Sequence, residues 1–296
     1  MPLKVLLATD GSSNAEDAAW LVSQMARTEP IDVILMTVIQ LPEVGGMVAV
    51  ESWLPELLQR EQQAATEIHQ AVQKLFEGAQ GTLTSVIREG LIGHEIVVEA
   101  TERNVDLVVI GAKGHSTVDR ILLGSVSDYV ATHVHCSALV VRPTGLKEGA
   151  DRRIRVAVGF DNSGSSERAI AEFQRFTLPQ ALELDVVAVC HVVRTFRQDL
   201  LPNLAEARAK MREGYAQAAA IGARALQRAT PHVHSHVVEA EHVGQAIVDF
   251  ADAHRSDFVI VGDTERGVFG RIFVGSVSRY VLRHTSCSVW ISRHAD

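Results

Sequence analysis

The chain repeats itself at a spacing of 151 residues, and this constrains its fold more than any other feature. Asp10 and Asp161 each close an apolar run, Val5-Leu6-Leu7-Ala8 and Val156-Ala157-Val158-Gly159. The same offset links Gly93 to Gly244, Asp106 to Asp257, Tyr129 to Tyr280, His133 to His284 and Cys136 to Cys287. It also carries Gly111 and Gly124-Ser125-Val126-Ser127 onto Gly262 and Gly275-Ser276-Val277-Ser278. One offset holding at both ends of the unit means one domain copied in tandem. The expected domains are residues 1–147 and 148–296, joined between Pro143 and Arg152 through the polar, glycine-containing segment Thr144 to Ala150. Each half is long enough to bury its own core.

Within each copy, strand-like and helix-like segments alternate. In the first, Lys4–Thr9, Val33–Ile39, Leu83–Glu89, Leu107–Ile110 and Ala138–Arg142 read as strands. Helical spacing covers Asn14–Arg27, with Ser12 or Ser13 as N-cap, then Trp53–Glu77, His94–Arg103 and Ser125–Thr132. The second copy follows the same order. Continuous apolar strands indicate a sheet covered on both faces. The predicted fold is therefore α/β: two tandem, doubly wound, five-stranded parallel sheets of Rossmann-like type with right-handed crossovers. Ligands of such sheets sit beyond the carboxyl ends of the strands, at the topological switch point.

Composition narrows the function classes. The net charge is −8, which gives no electrostatic support for nucleic-acid or anionic-membrane binding. Residues 1–147 hold 10 Lys and Arg against 18 Asp and Glu, whereas the remainder is balanced at 18 and 18. No apolar run approaches the roughly 18 residues of a spanning helix. Met1-Pro2-Leu3-Lys4-Val5 runs straight into a strand, so no secretory signal is expected. Three sparse cysteines, Cys136, Cys190 and Cys287, fit a reducing cytoplasm better than a disulfide framework.

Two features carry chemistry. Gly111-Ala112-Lys113-Gly114, nine further residues and Gly124-Ser125 form a loop between a strand and a helix. Glycines let main-chain N–H groups approach phosphate oxygens, and the start of the next helix favours an anion. Lys113 and Arg120 add local positive charge, and the competing reading is a glycine-rich turn with a serine cap. Asp10, in Thr9-Asp10-Gly11-Ser12, ends the first strand and would face the same crevice. Its carboxylate can accept from ribose hydroxyls or hold Mg²⁺ on phosphates, or else form an Asx turn.

These residues resemble the universal stress protein family, over almost the whole chain and as a tandem two-domain member. The Asp10-Gly11-Ser12 strand end and the glycine loop carry the resemblance, with Asp161-Asn162-Ser163-Gly164-Ser165-Ser166 and the segments His133–Arg142 and His284–Arg293. The resemblance implies an ATP site. Ala8, Asp10 and Val38 would line adenine and ribose, and Gly111, Gly114, Gly124, Ser125 and Val126 would surround the phosphates, with Mg²⁺ reaching Asp10 through ATP. It also implies pairing of the two copies through their last strands as an internal pseudo-dimer, with a further homodimer open. The function expected is a nucleotide-responsive regulator or interaction protein with unidentified protein partners. The alternatives are a nucleotide-independent stress protein and a slow ATPase, since neither a P-loop nor a nucleophile elbow is present.

The copies differ at the loop. Gly262-Asp263-Thr264-Glu265 replaces Gly111-Ala112-Lys113-Gly114, setting two carboxylates against an anionic ligand, with Arg266 and Arg271 offsetting them in part. The second site is expected to bind weakly or not at all, with Glu265 in the phosphate position. Other clusters read more simply. His133, His135 and Cys136 match no zinc spacing and read as a helix end. Cys190-His191 reads as a strand pair. His232, His234 and His236 share one strand face and read as a solvated surface.

Overall fold

A computed structural model describes residues 2–40, 54–115, 123–143, 145–147, 152–176, 178, 181–192, 201–263 and 275–293. The chain divides into two compact units, Met1–Arg142 and Pro143–Asp296. Gly145, at φ +69°, and the buried Leu146 fall with the second unit.

The first unit runs β1 (Leu3–Ala8), α1 (Ser13–Thr28), β2 (Ile31–Ile39), α2 (Leu54–Leu75), β3 (Leu83–Glu89), α3 (Ile92–Glu102), β4 (Leu107–Gly111), α4 (Ser125–His133) and β5 (Ser137–Val141). Its strands are parallel and ordered β3-β2-β1-β4-β5. β1 and β4 are central and almost wholly apolar, as strands covered on both faces must be. Right-handed crossovers place α1 with α2 on one face and α3 with α4 on the other, and each of these helix pairs packs together. α3 begins two residues before the expected His94, because its N-cap Leu91 makes no side-chain bond and so leaves no signal in the sequence.

The second unit repeats this plan with β6 (Ile154–Gly159), α5 (Gly164–Phe173), β7 (Leu182–His191), α6 (Leu201–Leu226), β8 (Val233–Ala240), α7 (Val243–Ala253), β9 (Phe258–Gly262), α8 (Ser276–His284) and β10 (Ser288–Ser292). Its order is β8-β7-β6-β9-β10, again parallel.

The repeated residues explain one another. Asp106 accepts the Lys4 N–H at 2.8 Å and Asp257 accepts the Arg155 N–H at 2.9 Å, tying the entries of the two central strands in each unit. A Cβ on Gly93 would lie 2.7 Å from the Tyr129 ring, and one on Gly244 2.8 Å from Tyr280. Those tyrosines stack on His133 and His284, with centroids 4.0 and 3.9 Å apart. The close α3–α4 and α7–α8 contacts therefore require the glycines.

Candidate functional site

In the first unit the strand order reverses between β1 and β4. β2 and β3 lie to one side of β1, and β4 and β5 to the other. Asp10 follows β1 and the glycine loop follows β4, so residues about a hundred apart in sequence meet at the switch point. Ser12 caps α1 by accepting the Ala15 N–H and donates its own hydroxyl to the Lys113 carbonyl. His115 Nε2 lies 2.8 Å from the Asp10 carbonyl, which makes that nitrogen the donor. Asp10 Oδ1 accepts the Ser12 N–H at 3.0 Å, the Asx turn that its position allows. Asp10 Oδ2 accepts no hydrogen bond among the described residues, and a Cβ on Gly114 would stand 2.4 Å from it. Glycine at 114 therefore keeps this side of the carboxylate open.

The three loop glycines have different surroundings. A Cβ on Gly111 would meet main-chain atoms of Asn14 and Ala15 at 2.8 Å, so Gly111 lets α1 pack onto β4. Gly114 is exposed at the crevice. Gly124 is the N-cap of α4 and supplies no side-chain acceptor, leaving the first-turn N–H groups from Ser125 onward without a side-chain cap from it. The Ala112 carbonyl accepts both the Gly124 N–H at 2.8 Å and the Ser127 hydroxyl at 2.7 Å, which pins the two ends of the loop together. Ser125 is exposed, Val126 and Val38 are half-buried, and Ala8 is buried at the end of β1. Arg120 lies outside the described residues.

A polar network beneath the crevice was not singled out from the sequence. Thr37 Oγ1 donates to the Thr9 carbonyl at 2.8 Å and lies 3.0 Å from His69 Nε2. A hydroxyl has one proton, so His69 supplies the second, from Nε2. Burial holds the His69 pKa below its ordinary value of 6.5, and the imidazole is neutral at pH 7. Thr9 Oγ1 in turn accepts the Gly11 N–H at 3.3 Å, and Gly11 holds φ +77°. The offset carries Thr9 and Thr37 onto Phe160 and Ala188, both buried and apolar. That loss of polar partners was the available signal.

The second unit is built differently at the same place. Asp161 Oδ1 accepts both the N–H and the hydroxyl of Ser163. Burial raises the Asp161 pKa, but the bonds from Ser163 and Ser166 outweigh it, and the net shift is downward. Asp263 is buried, and its carboxylate turns inward. Oδ1 accepts the Gly275 N–H at 2.7 Å, at the N-cap of α8, and Oδ2 meets Arg293 Nε at 2.7 Å. Thr264, Glu265, Arg266 and Arg271 lie outside the described residues, so Glu265 in the phosphate position stays an expectation.

Among the described residues no group of three or more His, Cys, Asp or Glu side chains is placed to hold a metal ion. His133 and His284 each donate from Nδ1 to the tyrosine carbonyl four residues earlier, at 2.8 Å, as helix-end histidines. All three cysteines are buried and none forms a disulfide, and burial raises the Cys190 thiol. His236 pairs with the buried Asp185 at 2.8 Å, whereas His234 is exposed. No described helix is long and apolar enough to cross a membrane.

The fold is that of a tandem Rossmann-like α/β protein, and Asp10 and Gly114 meet at the switch point of its first unit. The sequence pattern of the universal stress protein family matches residues 1–142 and again 153–293, and the chain belongs to that family. It is 33% identical over 141 residues to universal stress protein MJ0531 of Methanocaldococcus jannaschii, covering 47% of this chain and 81% of that one. It is 26% identical over 295 residues to a universal stress protein of Mycolicibacterium smegmatis, covering 98% of this chain and 96% of that one. The crystal structure of a universal stress protein from Archaeoglobus fulgidus superposes with a TM-score of 0.65 at 20% identity, covering 99% and 98% of the two chains, and so shares the fold.

Proposed function

We propose that this protein is a nucleotide-responsive regulator that holds ATP in the crevice of its first unit and binds it weakly or not at all in the second. The observation that carries this reading is the arrangement of Asp10 and Gly114 across the β1–β4 switch point. One carboxylate oxygen has no hydrogen bond among the described residues, and a bare Cα lies where any side chain would crowd it.

The residues suit the ligand. Asp10 Oδ2 accepts from a ribose hydroxyl, or lies where a phosphate-bound Mg²⁺ finds a hard oxygen donor. The half-buried Val38 and buried Ala8 offer apolar surface to a flat base. The uncapped first turn of α4, with the Ser125 hydroxyl, offers N–H and O–H donors to phosphates. Mg²⁺, when bound, would neutralise part of the phosphate charge. In the second unit, Asp263 gives the α8 N-cap an anion of the protein's own, and a phosphate there would have to displace it. The reading is of binding rather than turnover, and slow hydrolysis is the outcome that a phosphate-release assay would reveal.

The test is direct. Protein purified without added nucleotide is denatured, and the supernatant is assayed for adenine nucleotide. Release of up to one equivalent per chain supports the reading. An empty protein that also fails to bind added ATP would leave the nucleotide-independent stress protein in its place.

A further inference from the structure

The second unit has a cavity of about 740 Å³ at the end of its sheet opposite the crevice, where β6, β9 and β10 begin. Four guanidinium groups line it: Arg152, Arg153, Arg155 and Arg255. Three carboxylates also line it, and two of them are engaged. Asp257 is held by Arg152 through two bonds of 2.8 and 2.6 Å, and Glu183 lies 3.8 Å from Arg155. The third, Asp252, accepts the Ser286 hydroxyl at 2.6 Å. Arg153 and Arg255 form no ion pair among the described residues. The lining therefore carries one net positive charge and two guanidiniums without an ion pair among the described residues, the group best suited to bidentate contact with phosphate.

One further observation points to a ligand. Ser256 lines the cavity and is only 7% exposed, yet among the described residues its hydroxyl has no hydrogen-bond partner. Buried hydroxyls are nearly always satisfied. Arg255 holds φ +51°, a left-handed conformation that favours Asn or Gly over a long side chain. The first unit shares this backbone turn but not the side chains. Its equivalent positions are Asn104, at φ +50°, the buried Val105, and Pro2 in place of Arg153. The arginines and the serine are thus particular to the second copy, in the half that carries balanced charge within an acidic chain.

We propose that this cavity is an anion site for a small ligand bearing at least two phosphate-type groups, separate from the nucleotide crevice. Arg153 and Arg255 bind the anionic groups, and the Ser256 hydroxyl donates to one of them. Arg152 is committed to Asp257 and holds the wall in place.

The full chain is titrated calorimetrically with inorganic pyrophosphate at constant ionic strength. Three proteins are compared: wild type, Arg153→Gln/Arg255→Asn, and Gly114→Glu. Asn suits the left-handed position, as Asn104 does, and Arg153→Gln alone at an exposed position serves if the double variant misfolds. The expected result is binding by wild type, at least tenfold weaker binding by the double variant (or a clear loss in Arg153→Gln alone), and retained binding by Gly114→Glu. Absence of binding to wild type, or equal affinity in the arginine variant, overturns the proposal. Loss in Gly114→Glu with retention in the arginine variant assigns pyrophosphate to the crevice and also overturns it.

Discussion

Replacing Gly114 by Glu writes an acidic residue of the second unit's loop into the first. The structure sets the scale of the effect. A Cβ at 114 would lie 2.4 Å from Asp10 Oδ2, so the Asp10 carboxylate must swing aside before any side chain fits. The backbone itself accepts the change, because Gly114 is not among the glycines held at positive φ. Two unit charges 4 Å apart interact by about 4 kcal/mol at an effective dielectric near 20. Gly114 is exposed, and exposed pairs typically realise only about 0.2–1 kcal/mol. A triphosphate presents several charges together, so a penalty of roughly 1.4–3 kcal/mol follows, or about 10- to 150-fold in affinity. Gly114→Ala separates the two causes: it displaces Asp10 without adding charge, and a smaller loss is expected. Isothermal titration of ATP into wild type and both variants, with thermal unfolding as the control for fold, makes the measurement. Affinity of Gly114→Glu within twofold of wild type refutes the reasoning.

Gly111→Ala should cost about 1–3 kcal/mol of stability without nucleotide, because the new methyl meets the Asn14–Ala15 backbone rather than a movable side chain. Urea unfolding checks this, and an unchanged midpoint contradicts it. Asp263→Ala leaves Arg293, 6% exposed, without the carboxylate at 2.7 Å. A loss of about 3 kcal/mol is expected by denaturant titration, and less than about 0.5 kcal/mol would show that the pair is not structural. His69 has its folded pKa below 6.5, so the unfolded chain binds the proton more readily. Its contribution is then fully present above pH 6.5 and declines as pH falls below that value. Stability measured from pH 7.5 to 5 should fall less steeply in His69→Asn than in wild type. Parallel slopes would remove His69 from the acid response.

The α/β alternation was legible because central strands such as Leu107–Gly111 are apolar throughout and the repeat displays every element twice. Asp10 and the glycine loop were legible as a pair because both follow strands, and parallel strands deliver their carboxyl ends to one edge. What each glycine does was not. Gly111 and Gly114 look alike in the sequence, but one lies under a helix backbone and the other beside a carboxylate, and only packing tells them apart. The Thr9–Thr37–His69 network escaped notice because its members come from three elements and are joined by bonds 28 and 32 residues apart in sequence. Asp263 was read as a charge facing the ligand. Its actual partners, the Gly275 N–H and Arg293 Nε, lie 12 and 30 residues on, and no local pattern specifies such pairings.

The central proposal is that a phosphate can approach the start of α4, where the Gly124 N–H meets only the neutral Ala112 carbonyl, and not the start of α8, where the Asp263 carboxylate already holds the Gly275 N–H. A crystal structure of the full chain grown with Mg²⁺ and a non-hydrolysable ATP analogue tests it most directly. The account predicts nucleotide density beside Asp10, Gly114 and Ser125, and none at Asp263 and Gly275. Density in both crevices, or at Asp263 alone, would contradict it.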